Sequence, residues 1–272
     1  MLINKKTLIY SFLIFTLLIG FYFGENSSGG AKIDFGVLLP FIKNFSIDLS
    51  EGFEIYANNS STLLHSPVFY ILTSLLLKFF DEIIYVNIIY ILISASLPYL
   101  LYQIIKQNYK IDNEYIFYLS LIIFFSPYFR SSSIWLLGDN LSLIFFSLSI
   151  IYFLKSCNSK DNISNFFLCL FFLILCSYIR YYYSIFSLYY FLIFFKYLNK
   201  KIFFYLLFFS FLLSVPALGY FYYIFQNYNF LGTLNNFGKI NFYSNGLIIL
   251  SIIFFYLIPI IYSEKSLIIR HL

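Results

Sequence analysis

The chain has 272 residues, is 61% hydrophobic and 25% aromatic, carries only 11% charged residues, and has a formal net charge of +5. A soluble domain holds roughly a quarter charged residues, so a soluble enzyme, a nucleic-acid-binding protein and a disordered tail are all excluded. The apolar runs are near-continuous and do not alternate as barrel strands do, which leaves an all-α polytopic membrane protein.

The apolar segments cover residues 7–23, 65–80, 84–105, 115–128, 133–154, 164–179, 181–198, 202–225 and 246–263. Lys5 and Lys6 precede the first, which reads as a retained signal anchor with its N-terminus in the cytoplasm. Segment 65–80 decides the topology. If it crosses the membrane, most basic residues lie outside. If it lies flat on the outer surface, eleven of the seventeen basic residues fall inside and six outside, as the positive-inside rule requires. Its sixteen residues, with Pro67 near the start and Lys78, Asp81 and Glu82 at the end, suit an interfacial helix. The expectation is therefore about eight spans in one integral membrane domain over 1–272. In it, 7–23 is the first span, 24–83 an outer loop with interfacial helices, and 84–263 the remaining spans. Both termini lie in the cytoplasm, and the absence of eukaryotic sorting signals points to a bacterial plasma (inner) membrane.

In this topology eight of the twelve acidic residues face outward, and chemistry is sought among them. Asp34 follows Gly29-Gly30, where the chain can turn sharply, and opens a run of apolar residues at helical spacing. A carboxylate there is favoured by the helix dipole and serves either as a cap or as a general base on an acceptor hydroxyl. Asp139, in Leu137-Gly138-Asp139-Asn140, is expected one to two turns inside the outer end of its span. An ionisable residue at that depth faces a cavity or a partner, and Arg130 and Arg180 are the two candidate partners. Both arginines sit at outer ends of spans, where Arg suits bidentate phosphate recognition or simply snorkels. Tyr182 follows Arg180 in a tyrosine triplet that lines a sugar or lipid site or forms an aromatic belt. His65 and Tyr70 flank the start of the flat helix. Cys157, Cys169 and Cys176 read as small buried hydrophobes. No nucleotide-binding glycine motif and no His/Cys metal cluster occurs in the sequence.

This order of features resembles the GT-C membrane glycosyltransferases, and within them the branch of protein O-mannosyltransferases and lipid A aminoarabinose transferases. Asp34 stands where the family's first-loop acidic residue stands. His65-Ser66-Pro67-Val68-Phe69-Tyr70 is similar to the His-Pro-Pro-Leu-Tyr-Tyr pattern, with Ser66 in place of the first proline. Ser126–Ser132 followed by Asp139-Asn140-Leu141 looks like the second outer turn with its acidic residue, and Arg180 with its tyrosines looks like the family's later Arg-plus-aromatics. The acidic pair of the family is here the single carboxylate Asp34. The chain is also shorter than most members, which reads as a short member or a fragment.

The resemblance implies transfer of a sugar from a polyprenyl-phosphate donor to a lipid, glycan or protein acceptor at the outer face. Asp34 and Asp139 would be catalytic, with Arg180, Arg130, His65, Tyr70 and Tyr182 binding substrate. A divalent metal held near Asp139 is the one cofactor it leaves open. Membrane lipids are the other expected partners, and oligomeric state is left open. The alternative is a non-catalytic membrane protein, such as a lipid-linked glycan transporter or an assembly subunit.

Overall fold

The computed structural model describes residues 5–58, 66–109, 112–158 and 162–227. Among them the chain is helical throughout, with no strand. Two compact units are distinguished, Met1–Ile224 and Phe225–Leu272, and all that follows concerns the first. Four stretches are long and apolar enough to cross a membrane: Lys5–Tyr22, Ile83–Asn108, Gly138–Asn158 and Lys200–Tyr220. The protein is thus an α-helical membrane protein. Three of the other expected spans coincide with shorter helices, and segment 246–263 lies outside the described residues.

Helix α1 (Lys5–Tyr22) is followed by α2 (Ala31–Ile47) and α3 (Leu49–Asn58). Asp48 separates the last two in an extended conformation and caps α3 by accepting from Glu51 N–H at 2.8 Å. Helix α4 (Val68–Phe80) starts behind Pro67, with Ser66 Oγ accepting from Val68 N–H. At thirteen residues it is about 20 Å long, short of the roughly 30 Å hydrocarbon core. Helices α5 (Ile83–Ser94) and α6 (Leu97–Asn108) form one apolar stretch broken at Ala95-Ser96, just ahead of Pro98. Then come α7 (Asn113–Leu121), a 3₁₀ turn to Phe125, and α8 (Pro127–Ile134).

The expected span 133–154 is cut short at its start. Ser133 and Ile134 belong to α8, Leu136 takes a left-handed φ of 51°, and α9 (Gly138–Asn158) begins only at Gly138. The start of α9 packs closely: a Cβ on Gly138 would lie 3.0 Å from Ile179 Cγ2 and 3.2 Å from the Phe69 ring, so both neighbours would have to give by a few tenths of an ångström. Asp139 accordingly sits in the first turn of α9 rather than one to two turns within it.

Helix α9 pairs with α10 (Ile163–Ile179) as an antiparallel hairpin. Small residues make the seam: Ser142, Ser149 and Ser156 recur every seven residues on α9 and are fully buried, as are Cys169 and Cys176, also seven apart, on α10. Lipid tails are as apolar as leucine, so close backbone approach and hydrogen bonds must hold membrane helices together. Ser149 Oγ supplies one such bond, donating to the Cys169 carbonyl at 2.9 Å. A 3₁₀ turn (Tyr181–Ile185), α11 (Phe186–Tyr197) and α12 (Lys200–Asn227) are the last of the described elements.

Lysines gather at one set of helix ends, together with Asp112 and Glu114 at the start of α7. Lys5 and Lys6 open α1, Lys106 and Lys155 close α6 and α9, and Lys200 and Lys201 open α12. The opposite end carries Glu25, Asp34, Asp139 and Arg180, and is covered by α2, α3 and α4. Phe41, Phe45, Phe69, Tyr56 and Tyr70 form an aromatic cluster there, with Phe41–Tyr56 and Tyr56–Tyr70 ring centroids 5.3 and 5.6 Å apart. Each such pair contributes about 0.5–1.5 kcal/mol beyond area burial.

Candidate functional site

Arg180 ends α10 and reaches the first turn of α9. Its Nε donates to Asp139 Oδ1 at 2.8 Å and its Nη2 to Asp139 Oδ2 at 2.9 Å, a parallel two-bond fork. The arginine is mostly enclosed, at 21% side-chain exposure, while Asp139 keeps 43% of its surface open. Backbone geometry prepares the meeting. Tyr90 of α5 donates its hydroxyl to the Leu137 carbonyl and accepts from Leu141 N–H at 3.3 Å, which pins the α8–α9 turn. Asn140 is buried beside it and donates to the Phe129 carbonyl and to Ser133 Oγ at 3.0 and 2.7 Å.

Tyr70 of α4 faces this pair. Burial pushes its hydroxyl up to about 12, the Arg180 charge draws it down, and the carboxylates of Asp139 and Asp34 add to the rise. Tyr70 lines one gap together with Gly138 at the start of α9 and Arg180 at the end of α10. Tyr56 is fully buried behind Tyr70, and burial raises it as well. Tyr182 follows Arg180 in the 3₁₀ turn and is half exposed. The gap lined by Ser66, Phe69, Tyr70, Gly138, Ile179 and Arg180 is about 10 Å³, the size of one water.

Asp34 lies exposed in the first turn of α2. It is not the cap, because Gly30 holds the N-cap position. Asn26 supports the entry instead, accepting from Lys32 N–H and donating to the Gly29 carbonyl. Among the described residues the Asp34 carboxylate makes no hydrogen bond and no ion pair.

Arg130 does not join this group. Of the two candidate partners for Asp139, Arg180 is the one that binds it, and Arg130 pairs with Glu25 instead, with Nε to Oε1 at 2.6 Å and Nη2 to Oε2 at 2.5 Å. Its other N–H groups reach Thr16 Oγ1, the Thr16 carbonyl and the Phe124 carbonyl. All five guanidinium donors thus have acceptors, and none remains for a substrate phosphate. Hydrogen bonding from Arg130 holds the Glu25 carboxyl below the usual carboxylate range. Trp135 closes the clamp by donating Nε1–H to the Glu25 carbonyl at 2.6 Å, with the Lys32 ammonium 5.4 Å over its ring. Glu25, Tyr56 and Tyr90 were not singled out from the sequence. Glu25 is the first carboxylate after α1, and that position was the available signal.

His65 lies outside the described residues. Among the described residues no group of three His, Cys, Asp or Glu side chains is placed to hold a metal ion. No family model, curated protein or solved structure matches the chain.

Proposed function

We propose that the protein is a polyprenyl-phosphate-sugar-dependent glycosyltransferase. The observation that carries the reading is the convergence of Asp34, Tyr70, Asp139, Arg180 and Tyr182 on one end of the helix assembly. A lipid-borne donor needs no nucleotide domain. It needs a cation for its phosphate and a carboxylate for the acceptor hydroxyl, both at membrane level. Asp34 takes the acceptor proton as the acceptor oxygen attacks the anomeric carbon. The bond from that carbon to the donor phosphate breaks, and the electron pair leaves with the polyprenyl phosphate. Arg180, oriented by Asp139, stabilises the charge growing on that leaving group. Tyr70 and Tyr182 supply sugar-facing hydroxyls and rings. The site faces outward from a bacterial plasma membrane crossed about eight times in a GT-C-like arrangement. Both termini are cytoplasmic, and α4 lies at the outer surface.

The test uses the full chain in liposomes with polyprenyl-phosphate sugars extracted from native membranes. Asp34→Asn is expected to cut transfer by roughly 10²–10⁴-fold while the protein still inserts. Wild-type rates in that variant remove Asp34 from the mechanism. A second reading, a non-catalytic protein such as a lipid-linked glycan transporter, draws on the mutual pairing of Asp139 and Arg180. Movement of the lipid across the bilayer without sugar transfer selects it.

A further inference from the structure

A separate cavity of about 620 Å³ lies where the last turns of α2 and α4 meet the first turn of α5. Ligand pockets span roughly 300–1,000 Å³. Lys43 and Lys78 line it together with Asp81 and Glu82. All four side chains are exposed, and neither lysine comes within 4.0 Å of either carboxylate. Two charges of each sign therefore line one space with no direct ion pair between them. Asp81 is held in place by its left-handed φ of 60° at the end of α4, which turns the chain sharply into α5. Ile83 and Ile84 line the same cavity and begin the apolar stretch Ile83–Asn108. Ile84 is half exposed. The cavity thus stands where a membrane-crossing stretch gives way to charge, the depth at which lipid headgroups lie.

We propose that this cavity holds the headgroup of a zwitterionic phospholipid, one with a phosphodiester and a primary ammonium. The phosphate meets Lys43 and Lys78, and lysine serves phosphate as a compact point charge. The ammonium meets Asp81 and Glu82. The acyl chains follow Ile84 along α5. A purely anionic headgroup gains from the lysines but is repelled by both carboxylates, so the two charge signs together select a zwitterion. This site is independent of the glycosyl-transfer reading and stands or falls without it.

The experiment places the full chain in nanodiscs containing phosphatidylethanolamine and phosphatidylglycerol at equal mole fraction and reads retained lipid by native mass spectrometry. Phosphatidylethanolamine is expected to be retained roughly fivefold over phosphatidylglycerol, the scale of an exposed ion pair. The double variant D81N/E82Q is expected to lose that preference, and K43Q/K78Q to retain less of both lipids. A wild-type ratio near one, or in favour of phosphatidylglycerol, overturns the proposal whatever the variants do. So does an unchanged ratio in D81N/E82Q when that variant melts with wild type. Soluble phosphoethanolamine displacing the lipid at equal concentration also overturns it, and makes the ligand a free phosphate ester instead.

Discussion

Arg180 and Asp139 are 41 positions apart, yet they form a two-bond fork that joins the end of α10 to the first turn of α9. The hairpin needs this contact at its open end, and the proposed reaction needs the same guanidinium. The two demands are separable. In the exchange variant D139R/R180D the pair is restored in reverse. Its melting temperature is expected to return most of the way to wild type from that of either single variant, while sugar transfer stays lost. Recovery of transfer in the exchange variant removes Arg180 from the phosphate site.

Arg130 is expected to act on stability alone. Arg130→Ala removes the two-bond fork from the partly buried Glu25 carboxylate and the added donors at the Thr16 and Phe124 carbonyls, at a cost of about 2–4 kcal/mol. Arg130→Lys recovers little, since an ammonium cannot reproduce the fork. Chemical denaturation in detergent checks both. Surviving molecules should transfer sugar at the wild-type rate per folded protein, and a selective loss of rate would contradict the structural assignment.

Acid should loosen the same clamp. Glu25 titrates lower folded than unfolded, so its pairing stabilises fully above the ordinary carboxylate value near pH 4.3, and that contribution is lost as pH falls through the lowered folded-state value. Melting temperature followed from pH 7 to pH 3 is expected to fall more steeply in wild type than in Glu25→Gln. Parallel curves for the two proteins would sink this account.

Two glycines test the close approaches. A Cβ on Gly20 would sit 2.4 Å from Glu25 Oε2 and 3.2 Å from Arg130 Nη2. Gly20→Ala is therefore expected to displace the carboxylate and to be non-additive with Glu25→Gln. Gly138→Ala presses on Ile179 and Phe69 and is expected to cost about 1–3 kcal/mol. The penalty should shrink in an Ile179→Ala background. Full additivity at both sites would mean the chain relaxes freely there.

Orientation is open to labelling in intact cells. With native cysteines replaced, a single cysteine at Ser66 is expected to react with an impermeant reagent from outside. Single cysteines at Asn108 and Asn199 should not. The reverse pattern would place α4 across the bilayer and detach the site from the proposed donor.

The helical class was legible in the sequence, while the expectation of about eight spans meets four long apolar stretches among the described residues. Long apolar runs state their own secondary structure, and polar residues at their outer margins gather at one level. The α8–α9 break was not legible, because a leucine at φ 51° carries no turn signature. Nor was the partner of Arg130. Proximity along the chain favoured Asp139, nine residues on, but the packing of α1 against α8 brings Glu25 across 105 positions. The seven-residue serine seam of α9 was hidden among many serines, since only burial distinguishes it.

The chain has a single tryptophan. Trp135 is bound to the Glu25 carbonyl, lies under the Lys32 ammonium and packs 5.9 Å from Phe35. The protein therefore carries its own optical reporter, placed between α1 and α2. Its emission maximum and quenching by aqueous iodide follow that junction alone, in native lipid and without labels. Movement of α2 becomes a fluorescence change with one assignable source.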